Sequence, residues 1–166
     1  MNMTQKDKFR GLLSAFDTAV LITHAGRDLH ARPMAIADID DDCDLWFITD
    51  EDSMKVQEIE TNARVTVVCQ NGWNSCISIS GRATFNYDQA RIRELWNPAY
   101  QAWLPKGPTD PSIVLIHVRG EIGEYWDNTG LNAITYAYQT IKAIVTGTPP
   151  EIKEGEQHGM VNLVHT

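Results

Sequence analysis

The spacing of apolar residues divides the chain into one leading helix and a series of strands. Apolar residues recur at helical spacing from Phe9 to Phe16, and Thr4 with Asp7 forms a weak capping box before them, which predicts an amphipathic helix over residues 4–16. Alternating or β-rich runs predict strands over residues 19–24, 30–39, 44–49, 64–70, 76–85 and 112–124. Further helices are predicted after the capping residues Ser53 and Asp88, and over residues 131–145.

Turn residues join the predicted strands in an order that favours antiparallel pairing. Gly26 and Asn71-Gly72 lie in predicted turns, and three consecutive aspartates from Asp40 close the second strand. Six or so strands with few helices predict a mainly β (β+α) fold that closes as a barrel with flanking helices. We expect one domain over residues 1–146, with residues 147–166 as its polar C-terminal tail, which either is mobile or crosses to a partner subunit.

Composition and charge narrow the classes of partner. The chain has 166 residues, 43% of them hydrophobic, which suits one globular domain. Its net charge of -8 argues against a nucleic-acid or anionic-membrane partner, because both need clustered cations. Three cysteines without metal-ligand spacing indicate reduced thiols. With no signal-peptide pattern and no apolar run of membrane-spanning length, the expected compartment is the cytoplasm.

Four polar residues from three consecutive predicted elements form a candidate phosphate site. Arg32 lies in the second predicted strand, Thr49 ends the third, and Ser53 and Lys55 begin the helix that follows. A guanidinium, an ammonium, two hydroxyls and a helix N-terminus all favour an anion, so the set points to a phosphorylated cofactor. The alternative is ordinary: solvated cations, a strand end and a helix cap.

Other familiar sites are absent from the sequence pattern. The aspartates between Asp38 and Asp44 lack the glycine and the glutamate of a calcium loop, and the five histidines show no zinc-binding spacing, so no metal site is expected. No glycine-rich nucleotide loop occurs. Core or interface packing explains most of the five tryptophans, with one or two left to flank a planar ring.

Several short motifs follow one another in a fixed order along the chain. They are Arg32-Pro33-Met34, Trp46 to Thr49, Ser53 with Lys55, a strand that ends before Trp73, a strand with Gly81, Glu124 to Asp127, Ala143 to Gly147, and Gly155 to His158. This order resembles the pyridoxamine 5'-phosphate oxidase-like flavoproteins, and more narrowly their bacterial general stress protein branch. The resemblance implies a split β-barrel that forms a homodimer with FMN, or possibly FAD, at the subunit interface.

The resemblance also assigns cofactor contacts to eight residues. By this likeness Arg32 and Lys55 grip the FMN phosphate, and Thr49 and Ser53 bond the phosphate or the flavin edge. The remaining four are expected along or near the isoalloxazine ring: Pro33, Met34, Trp73 and Trp126. Of these, Trp73 is expected to reach the partner's cofactor.

Departures from the family pattern bear on activity. Met54 stands where the vitamin-oxidising members usually carry an arginine beside their lysine, so one contact to the cofactor phosphate is absent. The oxidases also carry extra basic residues for the substrate phosphate and an Arg and His pair after their tryptophan, whereas Trp126 is followed by Asp127, so pyridoxamine phosphate oxidation is not expected. The leading hypothesis is an FMN-dependent oxidoreductase of the general stress type, with a reduced nicotinamide as electron donor and an unknown substrate. No side chain identifies itself as an acid or base. The alternatives are a flavin-binding or flavin-sensing protein without turnover, and an interaction module with an empty site.

Overall fold

A computed structural model describes residues 4–72, 74–149 and 154–164. Its α-helices are α1 (Gln5–Leu13), α2 (Met54–Thr61), α3 (Gln89–Leu95) and α4 (Gly130–Thr146), and a short 3₁₀ helix covers Pro98–Ala102. Its strands are β1 (Thr18–Ala25), β2 (Asp28–Ala35), β3 (Asp38–Ile39), β4 (Leu45–Asp50), β5 (Arg64–Asn71), β6 (Ser75–Asn86), β7 (Ile113–Asp127) and β8 (His158–Asn162).

All eight strands belong to one antiparallel sheet. The order is β2-β1-β5-β6-β7-β4-β3, and β8 pairs with β7 beside this path. The two edge strands, β2 and β3, are consecutive stretches of chain joined by Ile36 and Ala37, and Ala37 N donates to Trp46 O of the strand β4. The sheet therefore curls round on itself, as the predicted split barrel requires.

The inside of the curled sheet is the main hydrophobic core. Alternate residues of β1, β5 and β6 point into it, and the helix α1 closes one side with Phe9 and Leu13, both fully buried. A capping box between Thr4 and Asp7 begins α1, as the sequence predicted, although the helix ends at Leu13 rather than at Phe16. A second, smaller core lies where α3 packs on β4 and β7, around Ile92.

The C-terminal tail differs from the expectation that it is mobile or crosses to a partner. Its residues His158–Asn162 form β8, which pairs with β7 of the same chain and buries Val161 and Leu163 near it. Gly159 makes this pairing possible, because a Cβ there would lie 2.6 Å from the Tyr125 ring. This strand, and the division of the second predicted strand into β2 and β3, raise the count from six or so to eight.

The helix α4 is apolar but has no buried residue. Seven of its large apolar side chains are between 41% and 82% exposed: Leu131, Ile134, Tyr136, Tyr138, Ile141, Ile144 and Val145. Lys142 is its one charged residue. No helix of the described ranges is long and apolar enough to cross a membrane.

Candidate functional site

Three residues of the predicted phosphate site meet where β4 ends and α2 begins. Lys55 Nζ donates to Thr49 Oγ1 at 3.0 Å, and Thr49 Oγ1 lies 3.4 Å from Ser53 Oγ. Ser53 occupies the N-cap position of α2, but its side chain makes no capping hydrogen bond. Its hydroxyl faces Thr49 instead, on the same side as the ammonium. The start of α2 thus presents two hydroxyls and a cation.

Arg32 reaches the same region from β2. Its Nη1 donates to Thr23 Oγ1 at 2.5 Å and its Nη2 donates to Glu58 Oε2 at 2.7 Å, so the guanidinium bridges β1 and α2. Glu58 lies three residues after Lys55 on α2, so the guanidinium is held beside the helix that carries the ammonium, and its charge lowers the pKa of Lys55. We call Arg32, Thr49, Ser53 and Lys55 the cation cluster.

Glu58 is the anion of this region. The residue is 9% exposed, and its carboxylate accepts hydrogen bonds from Thr23, from His30 Nδ1 at 2.5 Å and from Arg32. Burial by itself raises the pKa of Glu58, but the bonds from Thr23, His30 and Arg32 outweigh it and lower that pKa. The carboxylate is therefore ionised at neutral pH.

The charged form of the Lys55 side chain is destabilised in the ligand-free protein. Burial lowers its pKa first, and the charge of Arg32 lowers it further, against weaker opposing effects of Asp50 and Glu58. Its ammonium makes no ion pair with a carboxylate within the described ranges. A half-buried cation without a counterion is typical of a binding site rather than of a structural ion pair.

The residues predicted to lie along a flavin ring are more scattered. Pro33 is exposed on β2, next to Arg32, whereas Met34 is half-buried and packs against the main core. Trp126 lies near the end of β7, with its ring centroid 5.1 Å from that of His158. Trp73 lies outside the described residues, so its predicted contact stays a prediction.

Trp126 lines a cavity of about 280 Å³, which we call the tryptophan cavity. Gln70, Cys76, Tyr136 and Gln157 also line it, from β5, β6, α4 and the segment before β8. Burial raises the pKa of the Cys76 thiol, and the charge of Glu124 adds to this effect, so the thiol is protonated at neutral pH. The cavity combines an aromatic ring with uncharged polar groups, a lining that suits a planar heterocycle.

The tryptophan cavity and the cation cluster are separate within one chain. Thr49 pairs with Val114 near the start of β7, whereas Trp126 lies near its end. None of the four cluster residues lines the cavity. One chain therefore offers a cationic group and an aromatic group at different places.

A third cluster of polar side chains connects the segment before β4 to the strand β7. The ligand atoms of Asp40, Asp44 and His117 all lie within 4.8 Å of one another, the one such trio within the described ranges. Asp44 accepts from Gly120 N and contacts His117 Nε2 at 3.0 Å, and the His117 ring stacks on Trp46 with centroids 3.9 Å apart. These internal contacts give the group a structural role at the edge of the barrel.

Sequence reasoning missed Thr23, His30 and Glu58, which surround Arg32. Two signals were present. Glu58 lies three residues after Lys55 on the buried face of a helix, where a charged residue needs a partner, and His30 lies two residues before Arg32, on the same face of β2. Thr23 gives no such signal, because its contact depends on the register of the β1-β2 hairpin.

Comparison with known proteins identifies the family. The family model described as pyridoxamine 5'-phosphate oxidase like matches residues 4–151. General stress protein 26 of Bacillus anthracis is 28% identical, with a TM-score of 0.66 over 72% of this chain and 92% of that one. The general stress FMN/FAD binding protein of Xanthomonas citri is 29% identical, with a TM-score of 0.62 over 76% and 89%.

A curated relative is more distant. Protein bli-3 of Neurospora crassa is 25% identical over an alignment of 136 positions that covers 76% of this chain and 65% of that protein. The chain thus spans a little under two thirds of that relative's length. Since the family model extends from α1 through α4, the chain belongs to the pyridoxamine 5'-phosphate oxidase-like family, with general stress proteins among its structural relatives.

Proposed function

We propose that this protein is an FMN-binding oxidoreductase of the general stress type, acting on a small molecule. The observation that carries the proposal is Lys55, a half-buried cation that donates to the Thr49 hydroxyl, has its pKa lowered by burial and by the charge of Arg32, and makes no ion pair with a carboxylate within the described ranges. A phosphate monoester carries between one and two negative charges at neutral pH and would supply the missing counterion. The description of the Xanthomonas citri relative as an FMN/FAD binding protein supports a flavin as the carrier of that phosphate.

The residues present fit the phosphate end of FMN. Thr49 and Ser53 offer hydroxyl donors, and α2 directs its N-terminus to the same place, where the helix dipole favours an anion. Two N–H groups of Arg32 are used within the described protein, which leaves three of its five for a ligand. FMN is the ligand to test first, and FAD is the second candidate because it carries phosphate at the same position of its ribityl chain.

The flavin ring requires a second group, and we infer that another copy of the chain supplies it. None of the four cluster residues lines the tryptophan cavity, and Thr49 and Trp126 lie toward opposite ends of β7. A symmetric homodimer would bring the cavity of one chain to the cation cluster of the other. Trp126, together with Trp73 as the sequence predicts, would then face the partner's cofactor.

The exposed face of α4 supports the same assembly. Burying a large aliphatic or aromatic side chain stabilises a protein by roughly 1.5–3 kcal/mol, and α4 leaves seven of them largely in solvent. The helix follows Trp126 closely and lends Tyr136 to the tryptophan cavity, so its apolar surface is continuous with the proposed interface. Contiguous apolar surface of this kind marks an association site.

FMN would supply the hydride and electron transfer chemistry, and the chain's own residues would bind and orient it. Glu58 and His30, the acid and base groups beside the cation cluster, are bonded to each other and Glu58 is also bonded to Arg32, so we assign no catalytic residue. The alternative function is a flavin-binding or flavin-sensing stress protein without turnover. The absence of the oxidases' substrate-binding cations from the sequence favours that alternative over pyridoxamine phosphate oxidation.

An absorption titration tests the proposal directly. We expect the purified protein, mixed with FMN and desalted, to retain the visible absorption of oxidised flavin, which no side chain shares. Colourless protein after this treatment would overturn FMN binding. Anaerobic addition of NADH or NADPH to the loaded protein then separates the two functions, because an oxidoreductase bleaches the flavin band and a binder without turnover leaves it unchanged.

A further inference from the structure

We propose that Glu58 is a positioning residue that holds the Arg32 guanidinium in the orientation that receives the cofactor phosphate. This inference rests on the proposed function, because it assigns the phosphate of FMN to the cation cluster. Glu58 itself would not touch the cofactor. It would act only through Arg32, from the opposite side of the guanidinium.

The geometry fixes Arg32 from two directions. Nη2 donates to Glu58 Oε2, and Nη1 donates to Thr23 Oγ1, whose own hydroxyl is bonded to the same Glu58 oxygen. The three groups form a closed ring of hydrogen bonds between β1, β2 and α2. A guanidinium held by two of its nitrogens cannot rotate, so its remaining N–H groups keep a fixed direction.

The second carboxylate oxygen is also held. Glu58 Oε1 contacts His30 Nδ1 at 2.5 Å, so both oxygens have partners and the carboxylate plane is fixed. The carboxylate is 9% exposed and lies on the buried side of α2, one turn after Lys55. Arg32 is bonded to Glu58, and Glu58 lies one turn after Lys55 on α2, so the three charges belong to one region. A carboxylate fixed in this way sets the guanidinium before any ligand arrives.

The negative charge of Glu58 would also have an effect on FMN affinity that opposes its positioning role. A carboxylate near a phosphate site repels the ligand, so a role based on charge alone predicts tighter FMN binding once that charge is removed. A positioning role predicts weaker binding when the side chain is lost and recovery when its shape is kept. Glutamine keeps the shape: its amide oxygen accepts from Thr23 and Arg32, and its amide nitrogen donates to the other tautomer of His30.

The experiment compares the affinities of FMN and of riboflavin, which lacks the phosphate, by fluorescence titration. The ratio of the FMN affinity to the riboflavin affinity separates the contribution of the phosphate from general effects on the fold. We expect Glu58→Ala to lower this ratio about tenfold, the equivalent of ~1.4 kcal/mol, and Glu58→Gln to stay within about threefold of the wild type. Glu60→Ala, an exposed glutamate on the same helix, is the matched control and leaves the ratio unchanged.

A double-mutant cycle shows whether Glu58 acts through Arg32. In an Arg32→Ala background, Glu58→Ala should change the ratio by less than about twofold, because the residue it positions is gone. The inference is overturned if Glu58→Ala leaves the affinity ratio unchanged or raises it. It is also overturned if Glu58→Ala lowers the ratio as much in the Arg32→Ala background as in the wild type. If the wild type binds FMN and riboflavin equally well, the phosphate contributes nothing to binding. That result would overturn the phosphate site of the proposed function, and the positioning role with it.

Discussion

In the proposed phosphate site, Lys55 would favour ligand binding at the expense of stability. Its pKa lies below the ordinary lysine value because of burial and the charge of Arg32, so the unfolded chain binds more protons than the folded one between that lowered pKa and the ordinary one. Stability contributed by this group therefore rises with pH through that window. At neutral pH the protonated ammonium destabilises the ligand-free protein, and a bound anion would remove the penalty.

We predict that Lys55→Met separates these two effects. Loss of the cation should weaken FMN binding about 10- to 100-fold, as expected for a hydrogen bond to a charged group worth ~1.5–3 kcal/mol. The same change should raise the melting temperature of the ligand-free protein by about 2 °C, because a half-buried methionine needs no counterion. Titration calorimetry and thermal unfolding at pH 7 measure the two quantities.

The matched control is Lys106→Met. Lys106 is 75% exposed and pairs with Asp110 in a loop, so its replacement should change neither FMN affinity nor melting temperature measurably. A drop in melting temperature for Lys55→Met would contradict the electrostatic account, and unchanged FMN affinity would remove Lys55 from the phosphate site.

At the scale of elements, β8 is the part of the fold that sequence reasoning missed. The helix α1 was predictable because its capping box and apolar spacing are both local. The strand β8 has only five residues, one of them glycine, and it lies in a polar segment. Its alternation of apolar and polar residues is therefore too short to predict a strand. What fixes β8 is distant in sequence: Gly159 lies opposite Tyr125 in the pairing with β7, and Tyr125 Oη donates to Gly155 O at 2.9 Å.

In the candidate site too, the features that depend on local sequence were predictable and those that depend on distant contacts were not. Ser53 was correctly placed at the start of α2, because a serine before an apolar helix is a local signal, but its hydroxyl faces Thr49 rather than capping the helix. The surroundings of Arg32 were not predictable, since they depend on the hairpin register and on where α2 crosses β1. Local patterns thus predicted which residues form the candidate site, and tertiary packing decides what holds them.

We predict that Gly159→Ala weakens the attachment of β8. The added Cβ would lie 2.6 Å from the buried Tyr125 ring, so either the ring or the strand must move. Overpacking of this kind costs about 1–3 kcal/mol, which urea unfolding measures directly. Met160→Ala is the control on the same strand, because Met160 is 61% exposed and its replacement should cost less than about 0.5 kcal/mol. Equal losses for the two variants would contradict the close approach of β8 to Tyr125.

At the scale of the whole molecule, the apolar surface of α4 is the main unsatisfied feature of the single chain. We predict that the wild type is a dimer in solution and that the double variant Ile134→Glu, Ile141→Glu is a monomer, because two carboxylates at a buried interface lack counterions. Light scattering coupled to size-exclusion chromatography measures both masses.

Lys142→Glu is the control for α4, since it reverses a charge on this helix without removing an apolar side chain. It should leave the dimer intact. A wild type that is monomeric at every concentration would contradict the proposed assembly, and a double variant that still dimerises would exclude α4 from the interface.

The separation of the cation cluster from the tryptophan cavity has a consequence for how the proposed cofactor would be held. If each half comes from a different chain, a ligand that touches both binds the pair and not the single subunit. Cofactor binding and subunit association are then linked by mass action, so each strengthens the other. The apparent FMN affinity should rise with protein concentration, and dilution should release the cofactor and separate the subunits in the same concentration range.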